Sequence, residues 1–198
     1  MSIVDRAKRI MLSPKEEWPV IDTEPATVGS IYTGYVIPLS AIPAIAAFIG
    51  LSVIGMSVFG LGHFRVPIGT GIGNTVTRYV LGLVSVYVLA LIIDALAPSF
   101  DGTKNPIAAL KVAAYSSTAG WLAGILMIFP VLGIITLLIS LYGLYLLYTG
   151  LPVLMKSPPE KAMGYTVVVI IAAIVLFIVV GMVTNAVFGY GAMMRPGM

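Results

Sequence analysis

The sequence predicts an all-α integral membrane protein, with five transmembrane helices preceded by an N-terminal interfacial amphipathic segment. Three observations carry this. The 198 residues are 59% hydrophobic and 10% charged, with a mean hydropathy of +1.05, whereas soluble domains average about 25% charged and 45–50% apolar residues. Five runs reach the roughly 20 mainly apolar residues that a helix needs to cross a bilayer. Finally, the charge is unevenly placed: of 11 Lys+Arg and 8 Asp+Glu, nine lie in the first 24 positions, ahead of the first apolar run.

The chain divides accordingly into a cytoplasmic interfacial collar (1–30), a membrane bundle (31–188) and a short outer tail (189–198). The runs are apolar on all sides, unlike the alternating strands of a membrane barrel. A backbone in lipid must satisfy its own hydrogen bonds, which selects helix.

In the collar, Ile3, Val4, Ala7, Ile10 and Met11 recur at helical spacing with Arg6, Lys8 and Arg9 between them. Two readings stand side by side here. One is an amphipathic helix whose basic face meets an anionic membrane surface, at roughly 1 kcal/mol per cation. The other is a frayed basic flank. A secretory signal needs an apolar run of 7–15 residues directly after its charged start, and this segment has none. A soluble domain of this size could not bury a core. Ser13-Pro14-Lys15-Glu16 has the form of a capping box with proline at the first helical position. A turn should therefore start at Pro14 and stop near Pro19, which puts Trp18 at the headgroup level where indoles gather. Asp22 or Thr23 can cap a further helix that contains Pro25.

The first span, about Ile31 to Met56, contains Pro38 and Pro43. Each removes a backbone donor and should kink the helix. The second runs from about Thr75 to Ala97, capped by Asn74 or Thr75. The Gly69–Thr75 stretch before it lacks the Gly-Lys-Ser/Thr of a phosphate loop and reads as a flexible outer loop. The third span, about Ile107 to Phe129, opens on Asn105-Pro106, a cap followed by proline. The fourth, about Val131 to Met155, follows across Phe129-Pro130, a connection so short that the two must form a tight hairpin. The fifth, about Tyr165 to Phe188, follows Ser157-Pro158-Pro159-Glu160, which repeats the grammar of the first box.

Lys and Arg set orientation. With the N-terminus inside, Arg6, Lys8, Arg9, Lys15, Lys104, Lys111, Lys156 and Lys161 face the cytoplasm, and Arg65, Arg78 and Arg195 face outward. The expected orientation is N-terminus cytoplasmic and C-terminus outside.

Candidate functional residues are few. Asp94 lies one turn before Pro98, at a helix C-terminus where the dipole disfavours a carboxylate. Lys111 should lie at similar depth, so the two are expected to pair, directly or through water. Ser116, Gly120 and Gly124 recur every four residues and form a face that another backbone can approach closely. Tyr142, Tyr145 and Tyr148 form a tyrosine stripe, read as a packing face or a binding groove. Ser13, Pro14, Glu16 and Trp18 mark the collar. There is no cysteine, which excludes disulfides and thiolate chemistry. His63 is the only histidine and has no nearby carboxylate, so a zinc site has no support. The thin positive charge leaves no nucleic-acid footprint. No catalytic constellation, cofactor or metal is expected.

The stretch RAKRIMLSPKEEWPVIDTEPATVGSIYTGYVIPLSAIPAIA resembles the opening of bacterial members of the Yip-domain family of small inner-membrane proteins. There a collar of the form LsPkeeW..I..E precedes a first span of the form Y..PL..iPa.a. FDGTKNPIAALKVAAYSSTAGWLAGILMIFPVLGIITLLISLYGLYLLYTGLPVLMK resembles the family's later pieces, an F.G loop, an A.kv.aYs helix, a P..G turn and a tyrosine-bearing helix. The resemblance covers most of the chain and implies a five-span bundle in the bacterial inner membrane. Eukaryotic relatives are associated with vesicle traffic and small GTPases. Asp22-Thr23-Glu24-Pro25 is not their acidic DLYGP-type motif, so a GTPase partner is not carried over. The expected function is a non-enzymatic scaffold or partner- and lipid-binding bundle, with a membrane protein or a second copy as partner. The alternative is a small transporter or channel with a polar pathway near Asp94.

Overall fold

The computed structural model describes residues 2–58 and 62–188. The expected outer tail, with Arg195, lies outside the described residues. Four stretches are helical, long and apolar enough to cross a membrane: Val28–Ile54, Ile68–Phe100, Pro130–Met155 and Pro159–Val187.

The collar is two helices, α1 (Ile3–Leu12) and α2 (Pro14–Thr23). Ser2 caps α1 by accepting from the Asp5 amide at 3.1 Å. The collar departs from expectation in three ways. Ser13 precedes α2, and Pro14 is its first residue, but the Ser13 side chain makes no cap bond. The helix runs through Pro19, even though proline there removes the donor that would bond Lys15 O. The cap before the first span is Thr27, whose hydroxyl and that of Ser30 bond each other's backbone amides reciprocally, and not Asp22 or Thr23.

The first span is α3 (Val28–Ile31), a π-helical turn Tyr32–Val36, α4 (Ile37–Phe48) and a second π-helical stretch Ile49–Ile54. The wide turns flank a segment in which Pro38 and Pro43 break the regular ladder. Two hydroxyls serve carbonyls there: Ser40 donates to Val36 O at 2.6 Å, and Tyr79 to Ile37 O at 2.9 Å. Hydroxyls are how a spanning helix tolerates proline. The span ends on Gly55, in the left-handed region at φ 83°. A hairpin follows, β1 (Met56–Val58) pairing antiparallel with β2 (Gly62–Phe64).

Helix α5 (Ile68–Leu96) continues into a 3-10 turn, Ala97–Phe100. It starts well before Asn74, so the glycine-rich stretch is helical and not a flexible loop. Gly71 shows why glycine suits it, since a Cβ there would lie 2.1 Å from Ser52 Oγ on the first span.

The third expected span is an interrupted helix. It consists of α6 (Pro106–Ser116), α7 (Thr118–Ala123) and a 3-10 stretch, Gly124–Ile128. Asn105 caps α6 by accepting from the Ala108 amide at 3.0 Å. At the break, Ser117 donates to Ala113 O at 2.8 Å and Thr118 to Tyr115 O at 2.6 Å. Hydroxyls that bond backward in this way compete with the helix ladder. Every residue from Ala108 to Ser116 is buried, so the interruption begins inside protein and not against lipid.

A 3-10 turn, Pro130–Leu132, leads into α8 (Gly133–Ser140) and α9 (Tyr142–Met155), and α7 packs on α8 across the short connection. Last is α10 (Pro159–Phe188), which starts at the Ser157-Pro158-Pro159-Glu160 box as its grammar indicates, ahead of the apolar run from Tyr165. The core surrounds α6, which packs against α5 and α9. One end of the bundle gathers the collar, residues 97–105 and residues 156–158, where Thr103 N donates to Met155 O at 2.7 Å. The far end gathers the hairpin and the end of the third segment, where a Cβ on Gly50 would lie 2.1 Å from Met127 O.

Candidate functional site

The densest polar arrangement lies where the collar meets the bundle. It follows from a shared spacing. Ile3, Arg6, Ala7 and Ile10 form the inward stripe of α1, and Pro14, Glu17, Trp18 and Ile21 that of α2. Each stripe carries one charged residue among apolar ones, and the two charges meet. The Arg6 guanidinium donates to the Glu17 and Glu24 carboxylates. Arg6 and Glu17 are 6% and 3% exposed, so this is a buried pair, while the Glu24 side chain is partly exposed. Burial alone works against the Arg6 charge. The hydrogen bond to Glu24 and the charges of Glu24 and Glu17 outweigh it and raise the pKa above its ordinary value.

Below the pair lies an aromatic layer. Arg6 stands 5.8 Å from the centroid of the Tyr115 ring, within cation–π range. Tyr115 meets Tyr35 edge-on at 4.6 Å and Trp18 at 6.4 Å. The Tyr35 hydroxyl bonds Thr118 Oγ1 at 2.7 Å. Trp18 is fully buried in protein; its indole N–H donates to Thr149 Oγ1 at 3.0 Å. Its ring lies over Gly150, where a Cβ would come within 2.6 Å of it.

Asp94 and Lys111 do not pair directly. The Lys111 ammonium donates to Ile21 O at 2.7 Å and Glu24 O at 2.6 Å. It thereby serves carbonyls at the end of α2, where a cation is favoured. Asp94 Oδ1 is buried without a hydrogen-bond partner. The carbonyls at the end of α2 outcompete the carboxylate because they offer Lys111 two short bonds from a helix end that needs a cap.

The other sequence candidates scatter. Gly124 is a close approach, since a Cβ there would lie 2.4 Å from Pro43 Cβ. Ser116 is buried with Oγ unpartnered, and its carbonyl is what a Cβ on Gly143 would strike, at 2.8 Å. Gly120 has room, its nearest neighbour Ser140 Oγ lying at 3.8 Å from the Cβ position. Tyr142 donates to Met11 O at 3.0 Å and so ties α9 to the collar. Tyr145, 5.4 Å away by ring centroids, is exposed, as are Ser13 and Glu16. Sequence reasoning missed Arg6, Glu17, Glu24, Tyr35 and Tyr115. The signal was present, because Arg6 and Glu17 both sit on apolar stripes.

Among the described residues, no group of three or more His, Asp or Glu side chains could hold a metal. A cavity of about 290 Å³ opens beside Arg6, Glu24 and Tyr115, and another of about 370 Å³ lies at the far end between α4, α5 and α10. Neither is lined by Asp94, Ser116 or Tyr142, the residues expected along a pathway.

Comparison with known proteins bears on the whole bundle. The chain is similar to the inner membrane protein YohC of Escherichia coli K12, at 28% identity over 182 residues that cover 90% of this chain and 93% of that protein. The YohC of E. coli O6:H1 matches to the same extent. No solved structure matches the chain. The Yip1 domain matches residues 8–181, from the middle of α1 to near the end of α10. The match takes in Glu17, Trp18 and Glu24 of the collar, though not Arg6, as well as the apolar helices, and the chain belongs to the Yip1 domain family.

Proposed function

We propose that this protein is a non-enzymatic scaffold of the bacterial inner membrane, whose collar is a fixed docking face for a membrane-protein partner or a second copy. The clamp carries this reading. Arg6 and Glu17 lock α1 to α2, while Lys111, Tyr142 and Thr149 bind both to the bundle. Locked in this way, the collar turns Val4 and Leu12 outward, 70% and 71% exposed, beside Lys8, Arg9 and Lys15. A rigid amphipathic face of this kind suits recognition better than a mobile tail would.

Five passes with the N-terminus cytoplasmic accord with the alternation of the two ends. The interrupted third segment has Lys111 beside the collar and Met127 beside Gly50 at the opposite end. The lysine-rich end would then face the cytoplasm. The location follows the name of the E. coli relatives.

The test is in-cell photocrosslinking from Glu16 and Val20, which are exposed, with buried Trp18 as the internal control. The expected result is a discrete protein adduct from the exposed positions, weakened when Arg6→Met loosens the clamp. Adducts with lipid alone, or adducts unchanged by Arg6→Met, would overturn the reading.

A further inference from the structure

The far-end cavity of about 370 Å³ has the size of a ligand site. Its wall is mostly apolar, and one full charge, Arg78 of α5, stands in it. The Arg78 Nε donates to Asn74 Oδ1 at 2.8 Å, one turn nearer the hairpin. That bond orients the guanidinium and leaves the N–H groups of its two terminal nitrogens for another acceptor. The chain supplies no carboxylate for them. The sequence has no Asp or Glu between Glu24 and Asp94, and none after Glu160, so every acidic side chain belongs to the collar end. Ser52, in the same wall, is 6% exposed, and its Oγ has no hydrogen-bond partner.

The order of groups along the cavity decides what fits it. The bond from Tyr79 to Ile37 O sets Arg78 beside the start of α4. Gly71, two turns farther out, lies against Phe48, whose ring comes 3.3 Å from the Cβ position. Beyond that, Val66 N donates to Leu51 O at 3.1 Å, and Gly50 meets Met127. Phe48, Leu51 and Met127 therefore lie farther from the collar than Arg78 does. In the other direction, the apolar stretch from Tyr79 to Ala97 rises roughly 28 Å at helical pitch, and a hydrocarbon core is about 30 Å thick. Arg78 thus stands at the far hydrocarbon boundary, and the apolar wall continues beyond it toward water. A bilayer lipid has the reverse order, with its charge toward water and its chains toward the bilayer centre. The cavity instead matches an occupant that arrives from the aqueous side with its charged end leading.

We infer that this cavity binds a small amphipathic organic acid, its carboxylate on Arg78 and its apolar body against Phe48, Leu51 and Met127. A planar guanidinium matches a carboxylate with two parallel N–H···O bonds. From Asn74 the wall continues past Gly71 and Thr70 to Val66, which leaves room for an apolar body on the order of 10 Å long at helical pitch. The site stands apart from the collar, so a docking role at the collar end neither requires it nor is tested with it.

The test is calorimetric titration of the full-length protein in phosphatidylcholine nanodiscs, with empty nanodiscs as the blank. The probes are phenylbutyrate, its neutral amide phenylbutyramide, and acetate. The expected result is saturable binding of one phenylbutyrate per protein, about tenfold tighter than the amide, with acetate not binding at the same concentrations. Arg78→Gln should bring acid and amide to equal affinity. Arg65→Gln removes a charge at the same end, outside the cavity wall, and should leave the preference intact. Phenylbutyrate carrying a diazirine on its ring should crosslink to Phe48, Leu51 or Met127. Absence of saturable binding overturns the proposal, as does equal affinity of the wild type for acid and amide. Loss of the preference in Arg65→Gln overturns it by showing diffuse charge attraction, and acetate binding as tightly as phenylbutyrate by showing a site for a free anion. Crosslinks to Gly82 or Trp121 overturn it as well, because the acid would then lie the other way round.

Discussion

The two ends of the bundle are built from the same helices and handle charge in opposite ways. At the collar end every ion pair among the described residues is found: Arg6 with Glu17 and Glu24, Lys156 with Asp22, and Lys161 with Asp101. The cavity at that end is flanked by the paired charges of Arg6 and Glu24, with an indole over a glycine and a lysine on carbonyls nearby. At the far end Arg65 and Arg78 have no acidic side chain in reach, and a cavity stands open beside one of them. Paired, buried charge makes an end that resists change, whereas a lone cation beside a cavity makes one that can accept something from outside.

The comparison breaks most sharply at Arg6. Arg6→Met strands Glu17 in a buried site and should cost about 3–5 kcal/mol, the usual penalty for halving a buried pair. SDS titration in mixed micelles reads this, and Arg6→Met with Glu17→Leu should recover much of the loss. If Arg6→Met alone unfolds like wild type, the clamp contributes nothing. Next in size is Gly150→Ala. It pushes a methyl group into Trp18 and should cost about 1–3 kcal/mol by overpacking; Trp18→Leu in the same chain should relieve part of it. The same change at the far end should have the opposite sign. Gly82→Ala meets nothing within 4 Å and should stabilise α5 by about 0.5–1 kcal/mol through helix propensity. Smallest is Arg78→Gln, which should shift the unfolding free energy of unliganded protein by no more than about 0.5 kcal/mol. A larger loss would make Arg78 a structural residue and erase the contrast between the ends.

How much of this could be read from the chain depends on which force decides each feature. Hydropathy decides the long apolar runs, and four of them are helical stretches long enough to cross a membrane, close to where the sequence places them. Asn105-Pro106 starts its helix as read, because a cap is a local device. The interruption at Ser117 was legible in principle, since Ser116-Ser117-Thr118 followed by Gly120 and Gly124 is poor helix material. The run of apolar residues concealed it. The collar was read by composition when its stripe was the better guide. Counting Arg6 with Lys8 and Arg9 as a basic face ignores that Arg6 shares a face with Ala7 and Ile10. The general tendency of indoles toward headgroups says nothing of what the Trp18 ring packs on, and only a distant segment, Gly150, supplies that. Lys111 and Asp94 make no direct pair for a related reason: depth along a helix is visible in sequence, but competing acceptors from another segment are not.

The bond from Trp18 to Thr149 spans 131 positions, as does the one from Tyr142 to Met11. Chains emerge from the ribosome at about 5–20 residues per second, so on the order of ten seconds separate the synthesis of the two partners. The first residues made are therefore among the last to find their place. Until α9 is inserted, Trp18 lacks Thr149 and Gly150, Met11 lacks Tyr142, and the collar has only Lys111 and Tyr115 of α6 to lie against. The collar's attachment thus reports that the fourth apolar run has arrived, and a chain stalled before that point would display a loose, charged and tryptophan-bearing N-terminus.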